Sequence, residues 1–257
     1  MKKIVLFLML IIFMIMFLKA DIYVKRVKET APYEIMGKKR SQGVEIEEVW
    51  LGKDRFTSIT KEMTIIMNFS SGKLYFAVNK IKTFFEIPLD LTREKLRQML
   101  PQKIADIILS IEIRSVKTSV DRKIRKIGNW NCFKTELEMD FVIPALNIMP
   151  KFKLITWLSN DVPFDYKKYK KGMSDFFENF FSRLIKIDKE TEKNFDRLEH
   201  VQGFEVGADA EINLFGSKIK SNMRMIDFKE CKAPAGIYYP PKGFKKKSLY
   251  NAFGIKK

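Results

Sequence analysis

Glu136-Leu137-Glu138-Met139-Asp140-Phe141 alternates an acid with a large apolar side chain, without a break. A strand turns successive side chains to opposite faces, so this stretch predicts a strand with Leu137, Met139 and Phe141 on a core and three acids in water. One wet face and one dry face is the pattern of an antiparallel sheet, since parallel sheets are covered on both sides. The neighbouring segments agree. Gly128-Asn129 punctuates a hairpin from a strand over residues 111–120, and residues 152–158 return across the turn at 144–150 to pair with 136–141. Further on, Gly216-Ser217 joins segments 205–215 and 218–228, and alternation puts Ala208, Ala210, Ile212 and Leu214 on one side.

Toward the N-terminus, residues 22–87 predict a meander of short strands. Val44, Ile46 and Trp50 share one face of a segment whose other face carries Glu45 and Glu47, and the apolar side is expected in the core. Residues 63–69 and 74–78 meet at Ser71-Gly72. In the next strand Phe85 and Ile87 oppose Phe84 and Glu86. Thr92 caps a helix bearing Leu96, Met99 and Leu100, and Pro101, which lacks the donor a helix interior needs, restarts it. Asp165 caps a second helix with a stripe that includes Phe176, Phe177, Phe180 and Phe181. Residues 191–198 add a short polar helix. About ten strands with two helical insertions and no repeated strand-helix-strand unit exclude a doubly wound sheet. The expected fold is mainly antiparallel β with helices (α+β), in which a strongly curled sheet or incomplete barrel has helices covering its concave face.

The first twenty residues have a different character. Lys2 and Lys3 precede an unbroken apolar run over residues 4–18, the layout of a secretory signal peptide with cleavage expected after Ala20. Residues 21–257 then form a single domain in the periplasm, and no cysteine follows the apolar run to take a lipid. The formal charge of +17 falls to +14 without Lys2, Lys3 and Lys19. Basic residues are spread among acids, which speaks against nucleic acid. The exception is the acid-free tail 242–257, which suits solvent or an anionic membrane surface. Export to an oxidising compartment permits a disulfide between Cys132 and Cys231, provided their Cα atoms lie within roughly 7 Å.

No catalytic signature is visible, and no enzyme activity, cofactor or metal is expected. His200 is the only histidine, neither cysteine belongs to a C-x-x-C pair, and there is no phosphate-cradling glycine loop. Six segments instead carry a resemblance: Tyr23-Val24-Lys25, Trp50-Leu51-Gly52-Lys53-Asp54-Arg55, Lys82-Thr83-Phe84-Phe85-Glu86, Ile127-Gly128-Asn129-Trp130-Asn131-Cys132, the stretch from Trp157 to Asp165, and Ala233-Pro234-Ala235-Gly236-Ile237-Tyr238 with Pro241-Lys242-Gly243-Phe244. Taken in order, the chain resembles an uncharacterised family of bacterial exported proteins, distantly related in fold to the periplasmic carriers of outer-membrane lipoproteins (LolA-like). The resemblance implies a curled antiparallel sheet around an apolar cavity. With 22 phenylalanines in the chain, the expected function is a periplasmic binding or carrier protein for a lipid, an acylated protein or another apolar ligand. Trp50, Phe85, Phe141, Trp157, Phe176, Phe177, Phe180 and Phe181 are the expected cavity residues. The alternative is an interaction or structural module of the cell envelope without a ligand.

Overall fold

The structure, a computed structural model, describes residues 21–164, 182–199 and 201–250. The chain runs β1 (Asp21–Thr30), a small hairpin of β2 (Tyr33–Ile35) and β3 (Lys38–Arg40), β4 (Gly43–Leu51), β5 (Arg55–Ile59), β6 (Met63–Asn68), β7 (Lys73–Val78) and β8 (Thr83–Pro88). Helices α1 (Arg93–Met99) and α2 (Gln102–Leu109) follow, then β9 (Glu112–Ile127), β10 (Trp130–Val142) and β11 (Lys151–Ser159). Beyond these come α3 (Ser182–Leu184), β12 (Lys186–Ile187), α4 (Lys189–Glu199), β13 (Phe204–Leu214), β14 (Ser217–Cys231) and β15 (Lys245–Lys246).

Thirteen strands form one sheet in the order β12-β9-β10-β11-β13-β14-β1-β4-β5-β6-β7-β8-β15. Every pairing is antiparallel except those of the two-residue edge strands, β12 on β9 and β15 on β8. The sheet is open among the described residues, because β12 and β15 occupy opposite edges. The hairpins follow from local chemistry: Gly72, Gly128 and Gly216 take φ of 62°, 58° and 75°, a region that costs other residues strain. The seam joining the two halves is not local. It pairs the first strand with the last long one, Asp21 opposite Cys231 and Thr30 opposite Ser221.

Register separates the two faces. From the seam outward, Val24, Val49, Ser58, Ile65, Phe76 and Phe85 lie opposite one another in succession across β1, β4, β5, β6, β7 and β8, and so share a face. In the other half, Leu137, Leu154 and Ala210 continue that face toward Ser221 and Thr30. The opposite face of this half carries a row of alternating charge, Lys117, Glu138, Lys153, Glu211 and Lys220, each opposite the next. Unlike charges on neighbouring strands each contribute a few tenths of a kcal/mol and keep that face in water. The alternation expected of 136–141 is therefore realised.

Strand β4 is a correction. Val44 and Ile46 are 64% and 43% exposed, while Val49 of the other register is buried. Trp50, on the face of Val44 and Ile46, is buried as expected, because the C-terminal segment covers that end of the strands beside Thr57; the pair lies toward the other end of β4 and faces solvent.

The helices form a second core. Leu96, Leu100, Ala105 and Leu109 pack with Leu91 and Leu184, and Ile87 joins them to the sheet. Arg93 ties the parts together by donating from Nη1 to the Leu184 carbonyl (3.1 Å) and from Nη2 to the Leu109 carbonyl (2.8 Å). Thr92 accepts from the Lys95 amide at 3.2 Å, as its position in the sequence predicts, and the helix breaks at Pro101. Replacing Thr92 with alanine is expected to cost about 1 kcal/mol in denaturant unfolding, because an orphan amide loses its acceptor.

The C-terminal segment covers the outer face of the β4–β8 half. Thr57, wholly buried, donates to the Ile237 carbonyl at 3.0 Å, and the Arg55 guanidinium lies 4.9 Å from the Tyr238 ring centre. Part of the basic tail is thus not free. Lys245 and Lys246 extend the edge of the sheet, and Lys246 Nζ sits 2.9 Å from Glu86, which with Lys73 holds that carboxyl below its usual range.

Candidate functional site

The apolar face is built for contact rather than for complete burial. Val24, Val49, Met67, Leu74 and Phe85 are buried, whereas Ile65, Phe76, Phe141, Leu154 and Ile212 on the same face keep part of their surface accessible. At one end of the central strands Trp130 meets Phe228 at 6.2 Å, Phe228 meets Phe204 at 5.7 Å, and Phe204 meets Phe164 at 4.9 Å, all edge to face. Each such aromatic pair contributes about 0.5–1.5 kcal/mol beyond its buried area.

A polar cluster interrupts this face at its centre. Arg26 follows Ile22 and Val24 in the inward register of β1, and its Nη1 lies 3.3 Å from Glu205 Oε1 and 3.9 Å from Glu47 Oε2. The Ser58 hydroxyl donates to Glu47, and the buried Arg26 Nε has no hydrogen-bond partner among the described residues. Two bulges flank the cluster. Ile226 is an extra residue between the partners of Lys25 and Arg26, and Val206 an extra residue between the partners of Trp157 and Leu158. Bulges re-aim side chains where strands must do something other than pair. A third of the Glu205 side chain remains accessible.

Burial pushes the Glu205 carboxyl above its usual range; Arg26 opposes that shift and Glu47 adds to it. Between the ordinary carboxylate range and the raised value, the folded state holds a proton that the unfolded chain has released, so stability falls as pH rises through that window. The pH dependence of unfolding free energy, compared for the wild-type chain and Glu205→Gln, is expected to show this decline in the former alone. Parallel profiles would contradict the burial argument.

The residues expected to line one cavity do not share a face. Trp50 packs on Tyr23 at 4.9 Å on the outer face, and Trp157, which donates to Asp209 at 3.0 Å, belongs to that face as well. Phe85 and Phe141 are on the apolar face but nine positions apart in the strand order. Phe176, Phe177, Phe180, Phe181 and His200 lie outside the described residues. Both cysteines are free thiols. Cys132 on β10 and Cys231 at the end of β14 have β11 and β13 between them. Three strand spacings of roughly 4.8 Å exceed what a disulfide spans, so the bond that export would permit is not made. Burial also raises the Cys132 thiol pKa, which keeps it protonated.

Open depressions of 580 Å³, at the Val44 end of β4, and 350 Å³, between β9 and α4, include none of Trp50, Phe85, Phe141 or Trp157. Among the described residues no group of three or more His, Cys, Asp or Glu side chains could hold a metal ion, and no helix is long and apolar enough to cross a membrane. Reasoning from sequence missed Arg26, Glu47 and Glu205. The signal was present in part: Ile22-x-Val24-x-Arg26 places a charge in the inward register of a strand.

The class defined by these features is a one-sheet, mainly antiparallel protein with a broad apolar face and a charged cluster within it. No family model matches the chain, and no curated protein does. Among solved structures, the crystal structure of a DUF1329 family protein from Desulfovibrio piger ATCC 29098 is similar over 89% of this chain and 92% of its own, at 10% identity and a TM-score of 0.32. A likeness of that size transfers neither function nor site.

Proposed function

We propose that this chain is a periplasmic binding or carrier protein for an amphiphile, whose alkyl chain lies along the apolar face while the sheet curls around it. The observation that carries this reading is the band of large, partly accessible apolar side chains on one face, Ile65, Phe76, Leu154 and Phe141 among them, opposite a face with a row of alternating charge. A monomer gains nothing by leaving such a band accessible, and a ligand chain laid on it contributes up to roughly 0.8 kcal/mol for each methylene removed from water. The mechanism is reversible burial, with no bond made or broken.

Organic extraction and mass spectrometry of protein recovered from the periplasm test this reading. Stoichiometric recovery of an acyl-chain molecule is expected. Consistently empty protein that also fails to take up a fluorescent fatty probe would refute it.

A further inference from the structure

We infer that the Arg26–Glu47–Glu205 cluster is the head-group subsite of the apolar face and selects amphiphiles that carry a primary ammonium group. The inference rests on the binding reading above and adds the chemical class of the ligand.

The charges on this face decide it. Along β1 the inward register offers Arg26 and Lys28, and directly opposite on β4 stand Glu47 and Glu45, one acid for each base. Among the described residues, Glu205 arrives from β13 with no cation of its own. It shares Arg26 Nη1 with Glu47, at 3.3 and 3.9 Å, and no other described cation forms an ion pair with it. Ser58 is already committed as a donor to Glu47. Among the described residues the cluster therefore holds one carboxyl group more than its bases pair, in apolar surroundings where an uncompensated charge is costly. A ligand ammonium supplies the missing charge and three donors, a geometry that carboxylates accept well. A carboxylate or phosphate head would meet two acids beside a single guanidinium whose Nη1 they share. The bulges give the arrangement a structural cause: Val206 is the extra residue next to Glu205 on β13, and Ile226 the extra residue on β14 beside Met225, the partner of Arg26.

The chain's overall positive charge pulls the other way and by itself favours anionic amphiphiles. That makes selectivity a sharp test. Binding of dodecylamine, dodecanol and dodecanoate, each below its micellar concentration, is measured by calorimetry with the full folded chain and with Glu205→Gln. The wild-type chain is expected to bind the amine at least about tenfold more tightly than the alcohol, the size of one charge-assisted hydrogen bond, and the acid most weakly. In Glu205→Gln the ratio of amine to alcohol affinity is expected to collapse by a similar factor. Should that variant not fold, Glu47→Gln must lower the same ratio. If the alcohol binds but the amine has no advantage, or if the advantage survives both substitutions, the head-group inference is overturned while the apolar-face reading stands. If none of the three binds, both fail.

Discussion

Phe85→Ala is expected to lower the free energy of unfolding by about 3–5 kcal/mol. The ring is 6% exposed and ends the row from Val24 through Val49, Ser58, Ile65 and Phe76, opposite Phe76. Truncation removes the ring's transfer free energy and leaves a void that the pleated backbone of β7 and β8 cannot close. Since whole domains are stable by only about 5–15 kcal/mol, a large share of the margin goes with one side chain. Ile46→Ala supplies the contrast: its side chain is 43% exposed on the outer face of β4, and a change within about 0.5 kcal/mol is expected. Urea unfolding of both variants decides. Equal losses would mean that the inward and outward registers have been assigned wrongly.

Arg26→Met is the second large effect. It keeps the length and apolar stem of the arginine but leaves Glu47 and Glu205 facing each other without a cation. Breaking a fully buried pair costs about 3–5 kcal/mol. These side chains keep 17%, 25% and 33% of their surface, so solvent screening reduces the expected loss to about 2–3 kcal/mol at neutral pH. Because the penalty comes from stranded charge, adding Glu47→Gln and Glu205→Gln to Arg26→Met is expected to recover most of it. A triple variant no more stable than Arg26→Met alone would show that the arginine acts through packing.

Much of the fold was legible where a rule is local. The alternation at 136–141, the glycine turns at Gly72, Gly128 and Gly216, the Thr92 cap and the break at Pro101 each concern a few adjacent residues, and each is found as expected. What escaped depends on pairing between distant segments. The β1–β14 seam joins residues about two hundred positions apart, and no local pattern announces it. Val44 and Ile46 misled because alternation gives a face without saying how far along the strand it is covered: Trp50 on the same face is buried, the other two are not. That is settled by a distant segment, the C-terminal stretch around Ile237 and Tyr238, while an arginine on the neighbouring strand makes Glu47 tolerable on the other face. The cluster was hidden for the same reason. Arg26, Glu47 and Glu205 come from three strands, and bulges, which shift register without a fixed sequence signature, complete their approach.

Photolabelling locates an alkyl chain bound on the apolar face. A dodecanol analogue with a diazirine at mid-chain is equilibrated with the folded protein, irradiated, and its adducts located residue by residue by tandem mass spectrometry. Adducts at Ile65, Phe76, Leu154 or Ala210 are the expected result, because those side chains share the apolar face across both halves of the sheet. Adducts confined to Trp50, Ile155 and Asp209, on the opposite face, would contradict the account.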